Sequence, residues 1–552
     1  MSGFPGKDEL CFLPLGGTGE IGMNLNLYGH AGAWLMIDLG ITFADDRVGG
    51  LDVLMPDPAF IEDRRDQLAG LVLTHAHEDH IGAVPYLWPR LRCPIYATPF
   101  TAAVLRGKLA EAGLLEAAEI TEVAMSGRFT VGPFDLELIT LTHSIPEPNA
   151  VVLRTPAGTV LHTGDWKLDP DPLIGEDYDE AALRALAKES VLAMVCDSTN
   201  AQVAGDSGSE AEVSDSMTEL VGAQEGRVAV ACFASNVARV AAVFKAAEAH
   251  GRRVALVGRS LLRIFQAARD TGYLTDVADP IMVEEIGYLP REEVLLLCTG
   301  SQGEPRAALW RIARDEHPHV VLEEGDTVIF SSRVIPGNEI SIGRLQNALS
   351  RQGIHVVTDK DHFIHVSGHP AQDELSQMYQ WVRPKIAIPV HGEARHLAEH
   401  AELAAACQVP QALVIENGDL IRLAPQGAEV LEQVETGRLA LDGPNLVPLG
   451  DESVRARQRM NFNGAALATV VLDGKGVLLC EPEITLQGLL NGEGEGLEEA
   501  RTAVREALAG LGRSDLRDDA QVHEAVRVTL RRWAYRTKGK RPVTDVHVLR
   551  LD

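Results

Sequence analysis

The stretch Leu71-Val72-Leu73-Thr74-His75-Ala76-His77-Glu78-Asp79-His80-Ile81-Gly82 decides how this chain is read. Leu71 to Thr74 has the pattern of a buried strand, and a helix can start at Ile81-Gly82. Between them, three imidazoles and the Asp79 carboxylate fall within six positions. Histidine and carboxylate are the standard ligands of borderline divalent ions. His75 and His77, one residue apart, can project from a tight loop to one ion, while Asp79 and His80, displaced along the turn, face a second. A pair of cations about 3.5–4 Å apart can clamp both oxygens of an in-line phosphoryl displacement. A polar loop with surface histidines is the bland reading, and it leaves the clustering of these residue types unexplained.

Two ions need more ligands, and candidates recur where apolar runs end. His143 follows the run Leu136 to Thr142, Asp165 follows Val160 to Thr163, and His391 follows Ile386 to Val390. Each alone reads as a surface or core residue; as a set beside H-x-H-x-D-H they complete a two-ion site. Asp38, ending Leu35-Met36-Ile37, is expected to orient a histidine rather than to ligate.

Gly17-x-Gly19-x-x-Gly22 matches a dinucleotide fingerprint on paper. Met23 to Tyr28 then alternates like a strand, whereas that fingerprint requires a helix. A tight turn or a wall of the active site is expected instead.

The chain has 552 residues, enough for three or four domains. Strand-like runs dominate to about Leu161. From 209 to 367 strands and helices alternate regularly, as in an α/β sheet unit. Strand-end motifs resume over 368–425, so the middle block reads as an insertion. Residues 426–460 read as a polar connector and 461–552 as a small α/β unit, with strands at Ala466 to Leu472 and Gly476 to Cys480 and a flexible loop at 490–496. The seven cysteines are scattered, with no C-x-x-C pair, and read as buried small hydrophobes. No apolar run reaches the ~20 residues of a membrane span. Met1 to Leu10 shows no secretion pattern, so a cytoplasmic location is expected. The formal charge of -29 weighs against a nucleic-acid partner, but bound cations would cancel carboxylates where a phosphate approaches. Arg531 to Arg541 runs the other way, with six cations, two aromatics and no acid. RNA tracking is one reading of it and a solvated helix end the other.

Asp38, His75 to His80, His143 and Asp165 resemble the ordered motifs of the metallo-β-lactamase superfamily. Asp197 in Cys196-Asp197-Ser198-Thr199-Asn200, His369 in Val366-Ser367-Gly368-His369-Pro370, and His391 resemble the added motifs of its β-CASP branch. Leu15 to Asn24, Thr299 to Pro305 and Ile335 to Glu339 are similar to phrases of the ribonuclease J family. The resemblance implies an αββα metallo-β-lactamase sandwich (1–208 and 368–425), an inserted α/β β-CASP domain (209–367), a linker (426–460) and a small C-terminal α/β domain (461–552). It implies two divalent metal ions per subunit, Zn²⁺ first and Mn²⁺ as the alternative. One would take His75, His77, His143 and Asp165; the other would take Asp79, His80, the shared Asp165 and His391. Asp197 would orient His369, which would steady the phosphate and protonate the leaving 3′-oxygen. A histidine in the last motif favours RNA over DNA.

The implied activity is 5′-to-3′ exonuclease action on single-stranded RNA with a preference for a 5′-monophosphate, endonuclease cuts besides, and a role in RNA decay and processing. His365, Ser367, Gly368 and His369, with Ser235 and Asn236 at a helix start, are the candidates for the 5′-phosphate pocket; a plain helix N-cap is the competing reading of Ser235-Asn236. A homodimer or tetramer is the implied assembly. The metal site alone would also suit a small-molecule thioester or lactam hydrolase, and the inserted block with Asp197 and His369 speaks against that.

Overall fold

The computed structural model describes residues 5–44, 50–489 and 496–551. Two compact units emerge, Met1–Thr42 with Leu54–Arg438, and Phe43–Val53 with Leu439–Asp552.

The larger unit holds two facing sheets. One has eight strands and includes Leu10–Gly16, Leu25–His30, Ala33–Ile37 and Leu68–Val72; the other has seven and includes Phe134–Thr140, Asn149–Thr155, Gly158–His162, Ala193–Asp197 and Ile386–Val390. Their inner faces meet in a core of Phe12, Tyr28, Ile37, Leu138, Val151, Val195 and Ile388. Strands such as Ala193–Asp197 are buried throughout, and they read as continuous apolar runs for that reason. Helices Glu180–Leu186 and Gln372–Val382 lay Leu183, Leu375, Met378 and Trp381 on the outer face of the second sheet. Helices Val84–Leu91 and Pro99–Glu111 bury Leu87, Trp88, Phe100 and Leu105. This is the expected αββα sandwich.

Register is what brings the motifs together. Ile37 pairs with Val72, so Asp38 emerges beside the His75 loop. His162 pairs with Val195 and Asp197 with Val390, all in parallel, so the segments leaving these strands emerge at one edge.

The inserted block is a five-stranded parallel sheet in the order Arg253–Val257, Val294–Cys298, Val228–Ala231, Thr327–Phe330, His355–Val357. Helix Val237–Ala249 is started by Asn236, whose Oδ1 accepts from Arg239 N at 2.8 Å. Arg239 then ties segments of the block to one another. Its guanidinium pairs with Glu210 at 2.9 Å and donates to the carbonyls of Ser331 and Ile364 at 3.0 and 2.8 Å, all buried.

In the smaller unit, Ala465–Asp473 lies between Glu483–Gln487 and Val543–Leu551. Helices Leu497–Ala509 and Asp519–Lys538 bury Val504, Leu508, Val522, Val526 and Leu530 against that sheet. The strand expected over Gly476 to Cys480 is not formed. Gly476 adopts a left-handed φ of 89°, only Leu478 bridges back to Leu472, and the pairing strand comes later, at Glu483–Gln487. Cys480 is accordingly exposed, against expectation, while Cys11, Cys93, Cys196, Cys232 and Cys298 are buried and all seven thiols are free. The stretch 426–460 carries strands Glu429–Gln433, Arg438–Asp442 and Asn445–Pro448. The loop read at 490–496 lies, except for Gly496, outside the described residues. Among the described residues no helix is long and apolar enough to cross a membrane.

Removing one member of a buried ion pair strands the other, at a cost of about 3–5 kcal/mol. Arg239→Met and Glu210→Leu should each lower stability to urea by that order. The double variant should recover part of the loss, though not all, because the Ser331 carbonyl loses the guanidinium as donor and the Ile364 carbonyl keeps only Ser331 Oγ–H. A double variant as unstable as the worse single one would refute the pairing.

Candidate metal centre

Three groups of ligand atoms form at the common edge: His75, His77 and His143; Asp79, His80, Asp165 and His391; and Asp165, Asp197, His369 and His391. The sequence-predicted ligands are therefore gathered in one place.

His75 lies in the loop after Leu68–Val72, His77 precedes the short helix Glu78–Ile81, and His80 lies buried inside it. Gly40 allows the close approach of this turn, since a Cβ there would stand 1.6 Å from the Asp79 carbonyl oxygen. Asp38 and His391 both hold left-handed φ values, 63° and 52°. Strain of this kind at non-glycine residues is maintained only where the surroundings over-determine it.

Hydrogen bonds set the tautomers. Asp38 accepts from Thr74 N–H and Oγ1–H, both at 2.8 Å, and from His80 Nδ1 at 2.7 Å. With the Thr74 hydroxyl proton so committed, His75 Nδ1 donates to Thr74 Oγ1 at 3.0 Å. His143 Nδ1 donates to the Gly368 carbonyl. Gly368 is needed at that spot, because a Cβ would meet His143 Cε1 at 2.6 Å. Each of these rings keeps its Nε2 lone pair for a ligand, as outer partners of metal-bound histidines do.

His75 Nε2 and His143 Nε2 both lie 3.0 Å from His77 Nδ1. Burial, reinforced by the neighbouring imidazoles, holds His75 and His143 well below the usual histidine range, and burial takes His77 down to about 4. Neutral nitrogens this close share at most one proton, and their remaining lone pairs repel unless a cation sits among them. The donor set fits a divalent ion.

The second group is richer in charge. His80 Nε2 lies 3.1 Å from Asp165 Oδ2 and 3.6 Å from Asp79 Oδ2, and His391 Nε2 lies 3.2 Å from Asp79 Oδ2. Burial disfavours charge on His80 and His391, yet the surrounding aspartates raise both well above the usual range. Burial likewise opposes ionisation of Asp79 and Asp165, but the facing histidines lower both. Excess negative potential of this kind suits cations. The Gly22 N–H donates to His391 Nε2 at 3.3 Å, and Thr18–Gly19 pairs with Gly392–Glu393, so the glycine fingerprint forms a wall of this site.

His369 Nδ1 bonds to Asp197 Oδ2 at 2.8 Å, and Asp197 Oδ1 accepts from Thr199 N–H and Oγ1–H at 2.8 and 2.7 Å. Against the effect of burial, Asp197 and then Asp165 raise His369. Its Nε2 has no hydrogen-bond partner among the described residues. Ser367 Oγ accepts from Asn200 Nδ2 at 2.7 Å and from His369 N–H at 3.2 Å. His365 Nδ1 is buried without a partner; burial and the cations Arg239, Arg333 and Lys167 take that ring down to about 3. Ser235 and Asn236 are not in the metal-ligand groups, and the Asn236 side-chain oxygen is used in capping.

Sequence reasoning missed Thr74, Thr199, Asn200 and Arg333. Arg333 donates to Asn200 Oδ1 at 3.0 Å, and Asn200 also donates to the His369 carbonyl at 3.0 Å. Thr199 and Asn200 lie in the Cys196–Asn200 phrase and Thr74 directly before His75, and that adjacency was the available signal.

Four family models match the chain. The description "Metallo-beta-lactamase superfamily" matches residues 23–192, "Ribonuclease J, beta-CASP domain" 225–349, "Zn-dependent metallo-hydrolase RNA specificity domain" 353–410, and "Ribonuclease J C-terminal domain" 452–551. The chain is 45% identical to a ribonuclease J of Sinorhizobium meliloti over 99% of its own length and 98% of that protein. It is 39% identical to one of Mycolicibacterium smegmatis, over 97% and 96%, and 37% identical to one of Thermus thermophilus, over 91% and 88%. A crystal structure of a protein of unknown function from Enterococcus faecalis covers 75% of this chain and 100% of its own, with a TM-score of 0.53 and 15% identity; that likeness concerns the fold alone. With these relatives matching almost end to end, and with the ligand groups assembled at the strand ends, the chain belongs to the ribonuclease J family.

Proposed function

We propose that this chain is a two-metal phosphodiesterase that degrades single-stranded RNA from the 5′ end, favours a 5′-monophosphate, cuts internally as well, and serves RNA decay and processing. Membership of the family makes it a metal-dependent nuclease, a hydrolase. The observation that carries the finer reading is the convergence of three neutral, oriented imidazoles beside a mixed His/Asp group that shares Asp165 with the His369–Asp197 pair.

His75, His77 and His143 with Asp165 would hold one cation, and Asp79, His80, Asp165 and His391 the other. Zn²⁺ is the first expectation from the ligand types and Mn²⁺ the alternative. When bound, such a pair supplies Lewis-acid stabilisation to a phosphodiester and lowers the pKa of a hydrolytic water. Asp38 keeps His80 in its ligating tautomer through the bond to Nδ1. Asp197 holds His369 charged and oriented, with Nε2 free to donate. As the P–O3′ bond breaks, that proton passes to the leaving 3′-oxygen, the water's hydroxyl joins phosphorus, and the proton the water loses reprotonates His369 by way of solvent. His365, Ser367 and Gly368, with Ser235 and Asn236, are assigned to the 5′-phosphate. The unpartnered His365 nitrogen in a field of three cations supports that assignment. A cytoplasmic location and a homodimer or tetramer belong to the same proposal.

Purified protein given 5′-labelled RNA with monophosphate, triphosphate or hydroxyl ends should degrade the monophosphate form fastest in Zn²⁺ or Mn²⁺, and should leave a thioester or β-lactam intact. Equal rates on all three ends would remove the 5′ preference; thioester turnover without RNA cleavage would replace the whole reading. Asp79→Ala and His80→Ala should abolish cleavage while circular dichroism stays native, with bound metal reduced; undiminished turnover in either would exclude its ligand role. His369→Ala should lower the single-turnover rate about 10²–10⁴-fold with RNA affinity changed far less. Equal losses in both quantities would mean that His369 only binds.

A further inference from the structure

Helix Asp519–Lys538 is divided lengthwise. Val522, Val526, Leu530, Trp533 and Ala534 are buried, so of the two aromatics read at the sequence level only Tyr535, 53% exposed, faces solvent. The opposite side carries Arg527, Arg531, Arg532, Tyr535 and Arg536, which with Arg541 line a depression of about 300 Å³. Arg541 stacks on the Tyr535 ring at 4.8 Å.

The chain has 79 acidic and 50 basic side chains, so carboxylate partners are plentiful. On this face only Arg527 takes one, Glu524 at 2.7 Å. The side chains of Arg531, Arg532, Arg536 and Lys538 form no ion pair or hydrogen bond among the described residues. The negative end of the helix dipole accounts for cations in the last turn, Arg536 and Lys538, but its effect falls off within that turn and does not reach Arg531 and Arg532. Glu524 also acts on Arg531, but one carboxylate beside several guanidiniums that make no ion pair among the described residues leaves an excess of positive charge that calls for an anion from outside. Tyr535, with a guanidinium over its ring, adds a flat stacking surface. Phosphates joined to flat bases satisfy both demands; a lipid surface or an acidic protein face satisfies only the first.

We propose that this arginine face is a second RNA-binding surface, separate from the metal centre, which takes the backbone of single-stranded RNA with a base against Tyr535. The choice of RNA rests on the nuclease reading above. The test uses the full chain and a hydrolysis-resistant, phosphorothioate-linked 30-nucleotide RNA, with affinity followed by fluorescence anisotropy from 50 to 300 mM salt. Replacing Arg531, Arg532 and Arg536 together by Ala should weaken binding about tenfold or more and reduce the slope of log affinity against log salt by about 2, at about 0.7 per lost single-strand contact. The triple Lys variant should keep the slope, and Tyr535→Ala should weaken binding with the slope unchanged. Thermal melting checks that each variant folds. Affinity and slope equal to wild type in the Ala variant would overturn the proposal. So would a changed sedimentation coefficient without RNA and no change in slope, which would assign the face to a second copy of the chain. Binding to anionic vesicles that depends on these arginines, with RNA binding unaffected, would overturn it too. Wild-type protein that shows the predicted slopes but hydrolyses no RNA would keep this inference and sink the nuclease reading; hydrolysis with an unaltered Ala-variant slope would sink this inference alone.

Discussion

The parallel pairing of Ala193–Asp197 with Ile386–Val390 is the constraint on which the rest depends. It sets Asp197 against Val390 and so delivers Thr199 and His391, 192 positions apart in the chain, to within 3.0 Å. The whole inserted sheet is contained between those two strands. Parallel neighbours need a crossover connection, and here the crossover has grown into a block with its own core. The block then returns through Ile364 and His365 into the segment that carries Ser367 to His369.

The chemistry at the edge is shaped by burial and by where each proton is held. One group of histidines is held low by desolvation and by its own crowding, while the next is raised by the facing aspartates, whose negative potential a bound cation would satisfy in place of a proton. The two environments adjoin, and Asp165 lies 3.1 Å from His80 and 4.0 Å from His75. A chain with a formal charge of -29 thereby concentrates carboxylates where cations belong and keeps positive side chains elsewhere. Arg239, Arg333 and Lys167 lie around His365, and the guanidiniums of the last helix stand on a different unit. Local potential governs anion binding, so the acidic total does not conflict with a polyanionic substrate.

Legibility from the sequence followed residue type and locality. His75 to His80 could be read directly, because the residues are rare, adjacent and at a strand end. His143, Asp165 and His391 could be read once that loop was accepted, since each ends an apolar run. Thr74, Thr199 and Asn200 could not, because threonine and asparagine are common and their value here lies in the partners they meet. Trp533 was misjudged as available for stacking: helical phase puts it on the buried ridge. Gly476 to Cys480 looked like a strand by composition, and the left-handed turn at Gly476 shifted the pairing onward to Glu483–Gln487.

By itself the sequence determined the class of fold, the alternation of buried strands and amphipathic helices, and the candidate metal-ligating residues, because periodicity and ligand chemistry are properties of short stretches. Only the tertiary structure decided which imidazole faces which carboxylate, which nitrogen keeps its lone pair, that Arg239 holds the inserted block, and that the last helix turns its arginines outward. Those outcomes depend on strand register and helix phase between segments far apart in the chain, and no local pattern encodes the distance between them.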